Sequence, residues 1–196
     1  MKFKFKIQQY QTEAVENTVA VFTGQPSYAI EGYRLDRGRQ AQRQLDFDDE
    51  TGYRNHCVEL DGKALLKNIN TIQNLYDITP SSSLSKGIGA VNLDIEMETG
   101  TGKTYVYIKT MFELNKQYGW SKFIVVVPSI AIREGVAKSF RMLEEHFMEH
   151  YGKKARWFIY NSGNLQQLDS FSSDSGLSAA LLTRFVQISV RCGISA

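Results

Sequence analysis

The chain has 196 residues, 42% of them hydrophobic, enough to bury one core or one domain with part of a second. Lys and Arg number 23 against 21 Asp and Glu, so bulk charge neither demands nor excludes nucleic acid, and any basic surface must be local. Two cysteines exclude a disulfide framework, and no apolar stretch is long enough to span a bilayer, so a soluble cytoplasmic protein without a membrane partner is expected.

At the start of the chain, Lys2, Lys4 and Lys6 alternate with Phe3, Phe5 and Ile7. That period of two predicts a short strand, not a signal peptide. A helix follows with Tyr10, Ala14, Val15, Thr18, Val19 and Phe22 along one side, and Gly24-Gln25-Pro26 stops it. Residues 27–53 are poorly patterned. Arg34, Arg37, Arg39 and Arg43 stand among Gln and Asp there, which suits a solvated surface loop, with a DNA-facing patch as the other reading. Helical spacing returns over residues 60–76 through Leu65, Leu66, Ile69, Ile72 and Leu75. Pro80-Ser81-Ser82-Ser83, then Gly87 and Gly89, mark a loop.

The next segment carries the chemistry. Leu93, Ile95 and Met97 alternate and predict a strand over 91–97, and a helix is predicted over 104–118. Between them runs Met97-Glu98-Thr99-Gly100-Thr101-Gly102-Lys103-Thr104. Gly100 and Gly102 let backbone N–H groups approach phosphate oxygens with no Cβ in the way. Lys103, the candidate catalytic group, supplies a point charge, and the Thr104 hydroxyl can ligate Mg²⁺. The helix start adds unpaired N–H groups and the positive end of its dipole. Met97 replaces the first glycine of the full phosphate-loop pattern, and a glycine-rich turn that binds nothing is the alternative. A nucleoside triphosphate is the expected ligand.

Beyond the loop, 122–128 reads as a strand covered on both faces, 130–151 as a helix and 156–160 as a further strand. The β-α-β-α-β succession predicts an α/β fold with a doubly wound parallel sheet and its ligand at the strands' carboxyl ends. Residues 170–175 read as a serine-rich loop. Residues 179–196 carry no acidic residue and no recognisable strand, so no carboxylate pair there could hold magnesium. The expected division is a strand and helix over 1–24, an insertion and helix over 25–90, the phosphate-loop core over 91–163 and an irregular tail over 164–196.

Leu93-Asp94-Ile95-Glu96-Met97-Glu98-Thr99-Gly100-Thr101-Gly102-Lys103-Thr104-Tyr105-Val106, followed by Phe123-Ile124-Val125-Val126-Val127-Pro128-Ser129-Ile130-Ala131-Ile132-Arg133, resembles the restriction (Res) subunit of type III restriction-modification enzymes. The resemblance implies a RecA-like, superfamily 2 helicase-like motor domain that uses ATP and Mg²⁺ to move on double-stranded DNA. It also implies a separate C-terminal nuclease domain and a modification (methyltransferase) subunit as partner. Tyr10 and Gln11 look like the motors' upstream Tyr-Gln element, whose amide reads the adenine edge. Thr99, Gly100, Thr101, Gly102, Lys103 and Thr104 form the phosphate loop. Ser129 and Arg133 resemble the motif that lies on the DNA backbone, with a capping serine and a solvated arginine as the plain alternative.

The motor's second magnesium motif, arginine finger and nuclease carboxylates find no counterpart after Gly163, and the fit to the family fades from about Leu177. A truncated or frameshifted product is expected, with an unpaired sheet edge, an uncovered apolar face and no turnover. The rivals are an inactive nucleotide-binding remnant, another superfamily 2 helicase, and a phosphate-loop kinase or GTPase, the last disfavoured by Met97 and by the match from Ser129 to Arg133. His146-Phe147-Met148-Glu149-His150 spells an inverted zinc-hydrolase motif, but a polar helix face with Leu143 and Phe147 toward the core is the better reading. Asp94 and Glu96 are expected to face loops or solvent.

Overall fold

The computed structural model describes residues 5–34, 51–85, 91–163 and 166–183. Expectations for residues 1–4, for Arg37, Arg39 and Arg43, for Gly87 and Gly89, and for the tail beyond 183 lie outside them. Helix α1 (Gln9–Ala20) buries Val15 and Val19, as its spacing predicts, while Tyr10 stays exposed. Helix α2 (Gly62–Leu75) starts where the Asp61 carboxylate accepts a hydrogen bond from the Ala64 N–H at 2.7 Å. These two helices share a core with Val106, Tyr118 and Trp120.

Helix α3 (Lys103–Tyr118), strand β3 (Lys122–Val127), helix α4 (Ile130–Tyr151) and strand β4 (Arg156–Ile159) follow the expected order closely. Residues 122–127, 156–159 and 178–183 form a three-stranded parallel sheet; with the last of these as β5 (Ser178–Thr183), its order is β3-β5-β4. Ile108, Met111 and Phe112 of α3 and Val136, Ala137, Phe140, Leu143 and Phe147 of α4 pack on one face of it, against Val127, Ala179 and Leu181. The result is a mixed α/β fold with a partial RecA-like sheet.

Several expectations are corrected. The segment 91–97 forms no strand ladder. Val91, Leu93 and Met97 still pack on the α1–α2 core, but β3 already pairs with β5, and no described strand lies alongside 91–97 to complete its hydrogen bonds. Residues 5–7 are likewise not in a strand. Among the described residues strand β3 is an edge strand with one open face, since Ile124 and Val126 remain 48% and 62% exposed, so the described sheet is not covered on both faces there.

The expected irregular tail contains two regular elements. Residues 166–173 are a helix, α5 (Gln166–Ser173), not a serine-rich loop. Its serines donate back into the preceding turn, Ser170 to the Gln166 carbonyl at 3.0 Å and Ser173 to the Asp169 carbonyl at 2.8 Å. Phe171 rests on Phe158 of β4, and Lys122 donates to the Phe171 carbonyl at 2.5 Å and to that of Asp174. Strand β5 is the middle of the sheet and its most buried strand. Within the poorly patterned 27–53 region, β1 (Glu31–Arg34) pairs antiparallel with β2 (Thr51–Arg54), held by a two-pronged Arg54–Glu31 ion pair at 2.6 and 2.9 Å.

Candidate nucleotide-binding site

The phosphate loop closes on itself before it meets the helix. The Thr101 hydroxyl donates to the Glu98 carbonyl at 2.6 Å, and the Thr101 N–H reaches the same oxygen at 3.4 Å. Gly100 and Gly102 then adopt φ of 85° and 90°, the left-handed region that costs a residue with a Cβ about 1–2 kcal/mol. Gly102 is the N-cap of α3, and with no side chain it leaves the first-turn amides uncapped, whereas Asp61 caps α2 and Ser129 caps α4. Those amides, together with the exposed Lys103 opening the helix, form a donor set suited to phosphate oxygens. Thr104 is half-buried in the same turn, Thr99 exposed on the approach to it.

Helix α1 reaches this loop from the far end of the sequence. The Tyr10 hydroxyl donates to the Thr101 carbonyl at 3.1 Å, and Gln11 Nε2 donates to the same oxygen at 2.8 Å. Beside them, Lys109 of α3 donates to the Thr12 hydroxyl at 3.2 Å. A cavity of about 250 Å³ opens beside Gln11 and Gly102, with Phe5, Tyr105 and Met142 among its walls. A larger one, about 440 Å³, runs along the open face of β3 with Lys103, Ile124 and Val126 among its walls. Tyr10, Gln11 and the residues of the loop are thus brought together. The convergence on one carbonyl has no signature in the sequence, because it depends on how α1 docks on α3.

Ser129 and Arg133 sit at the start of α4, just past the carboxyl end of β3. Ser129 Oγ accepts the Ile132 N–H at 3.3 Å as a helix cap. The Arg133 guanidinium pairs with Glu134 at 2.9 Å, but its Nε is buried and has no hydrogen-bond partner. Asp94 and Glu96 are exposed.

His146 binds Tyr105 Oη through Nε2 at 3.1 Å, and His150 Nδ1 lies 2.8 Å from the His146 carbonyl. Burial, then the neighbouring His150, holds the His146 imidazole below its ordinary pKa. Leu143 and Phe147 face the core, and no group of three or more His, Cys, Asp or Glu among the described residues could hold a metal ion. No described helix is long and apolar enough to cross a membrane.

The family model described as type III restriction enzyme, res subunit, matches residues 4–175. The chain is 36% identical over 107 residues to the type III restriction-modification enzyme EcoP15I Res subunit of Escherichia coli, a stretch covering 54% of this chain and 11% of that one. It is 39% identical over 98 residues to the EcoPI Res subunit of Escherichia phage P1, covering 49% and 10%. It is 51% identical over 63 residues to the StyLTI Res subunit of Salmonella typhimurium, covering 31% and 6%. The matched stretches amount to about a tenth or less of the length of these relatives. With the phosphate loop seated on α3 inside the matched segment, this chain belongs to the family of type III restriction enzyme Res subunits.

Proposed function

We propose that this chain is the ATP-binding N-terminal part of a DNA-dependent motor, the restriction subunit of a type III restriction-modification endonuclease. The observation that carries it is the uncapped start of α3, preceded by two left-handed glycines and opened by Lys103. Loop amides and the Lys103 ammonium would hold the phosphates of a bound triphosphate, and the Thr104 hydroxyl would take a place on Mg²⁺. The bound magnesium would neutralise phosphate charge and orient the triphosphate. Gln11 keeps Oε1 and one N–H for the adenine edge, and the cavity beside it has Phe5 and Tyr105 among its walls to receive a base. Ser129 and Arg133 serve the DNA backbone: they stand together at the start of α4, where a helix-start hydroxyl and a guanidinium suit phosphate contacts.

The reading is one of nucleotide binding. Beyond Gly163 the only carboxylates are Asp169 and Asp174. Asp174 accepts from Gly176 N–H at 2.9 Å and Ser178 Oγ at 3.2 Å and pairs with Arg156, so it is committed to the fold. Double-stranded DNA and a modification subunit are the partners proposed for the whole enzyme. Calorimetry with ATP and Mg²⁺ on soluble protein tests the core of this: saturable heat is expected, and its absence refutes the nucleotide site. DNA added to the same sample is expected to bind with an affinity that falls as salt rises.

A further inference from the structure

Two side chains from α1 converge on one backbone atom of the phosphate loop. Tyr10 Oη and Gln11 Nε2 both donate to the Thr101 carbonyl, at 3.1 and 2.8 Å, across about ninety residues of chain. The Thr101–Gly102 peptide is a rigid plane, so fixing its carbonyl oxygen also fixes the direction of the Gly102 N–H on the opposite side. That N–H belongs to the donor set at the start of α3.

The two glycines of the loop differ in a way that fits this. A Cβ on Gly100 would meet nothing within 4 Å, whereas a Cβ on Gly102 would fall 2.5 Å from Gln11 Nε2. Gly100 is required for its backbone angle alone. At Gly102 the angle favours glycine, and a Cβ would in addition displace the Gln11 amide. The Lys109–Thr12 hydrogen bond at 3.2 Å ties the same turn of α1 to α3 and keeps both donors over the loop.

We propose that Tyr10 and Gln11 are positioning residues for the phosphate loop: by holding the Thr101 carbonyl they aim the Gly102 N–H at a bound triphosphate, whatever base that triphosphate carries. The inference rests on the nucleotide-binding reading above and deepens it. It gives Gln11 a task beyond reading adenine, and Tyr10 a task that needs no contact with the nucleotide.

The test compares a ligand with a base and one without. Affinities for Mg²⁺–ATP and for Mg²⁺ with inorganic tripolyphosphate are measured by calorimetry on the 196-residue chain and on Tyr10→Phe and Gln11→Ala. Tyr10 is 47% exposed, so removing its hydroxyl is expected to leave the thermal unfolding midpoint unchanged. Each variant is expected to lose about fivefold in affinity for tripolyphosphate, the equivalent of one ordinary hydrogen bond, and at least as much for ATP. Loss for ATP alone, with tripolyphosphate affinity kept within about twofold, overturns the inference and leaves Gln11 a base reader. Affinity loss in Tyr10→Phe that merely follows a lowered unfolding midpoint overturns it as well. If the unaltered chain binds neither ligand, the nucleotide-binding reading itself fails, and this inference falls with it.

Discussion

Leu181 offers the sharpest test of the sheet. It is fully buried in the middle strand, opposite Val125 of β3 and Ile159 of β4, with α3 and α4 packed over it. Leu181→Ala removes most of the side chain from a site whose walls are fixed by ladders on both sides, so collapse into the space is limited. The expected loss is about 3 kcal/mol, inside the usual range for such truncations, out of a total stability of about 5–15 kcal/mol. For a chain of this size that corresponds to a fall of about 6–12 °C in unfolding temperature. Val126→Ala, on the open face of β3 where the side chain is 62% exposed, is the control and is expected to change stability by less than about 0.5 kcal/mol. Urea titration followed by circular dichroism gives both values under one condition. A loss below about 1 kcal/mol for Leu181→Ala, or no difference between the two variants, would show that β5 does not fill the centre of the sheet.

Lys103→Ala removes the only side-chain cation within the phosphate loop, and a charge-assisted hydrogen bond of about 1.5–3 kcal/mol implies about 10- to 150-fold weaker Mg²⁺–ATP binding by calorimetry; an unchanged affinity would remove Lys103 from the site. Gly100→Ala and Gly102→Ala should each introduce backbone strain of about 1–2 kcal/mol, but only the second also displaces Gln11, so it should lose more tripolyphosphate affinity; equal losses would contradict the geometry. His146 is held below its ordinary 6.5 by burial first, then by His150 and Lys109, with Glu149 opposing. A base whose folded pKa is lowered binds fewer protons folded than unfolded, so its contribution is complete above 6.5 and lost as pH falls through the lower folded value. His146→Gln should therefore flatten the acid-side decline of the urea midpoint, and parallel profiles for the two proteins would refute this.

The elements that could be read from sequence are those whose signal is local. Helix α4 places Val136, Ala137, Phe140, Leu143 and Phe147 on one stripe, and its start and end coincide with the predicted 130–151. The glycine turn and helix start over residues 100–104 are legible because their signal lies in contiguous residues. Strand β5 is not legible for a physical reason: Ser-Ala-Ala-Leu-Leu-Thr is buried on both faces, so it has no alternation, and its identity as a strand comes from β3 and β4 on either side. The reverse holds at 91–97, where alternation is present but no neighbouring strand is found among the described residues. Helix α5 was hidden by serines whose hydroxyls are satisfied within the helix. The link from Tyr10 and Gln11 to Thr101 spans the chain and depends on tertiary docking, which residue patterns do not encode.

The order β3-β5-β4 carries a consequence for how the polypeptide acquires its shape. The two outer strands leave the ribosome first, and the strand that joins them is made last. Until Ser178–Thr183 is available, the nascent chain holds two apolar strands with no native partner between them. Any direct pairing of those strands with each other would have to be undone before the middle strand inserts, and long-range pairing is slow. Protease challenge of ribosome-stalled intermediates should find α3 and α4 cleavable until β5 has emerged; protection before that point would mean the helices fold without the sheet.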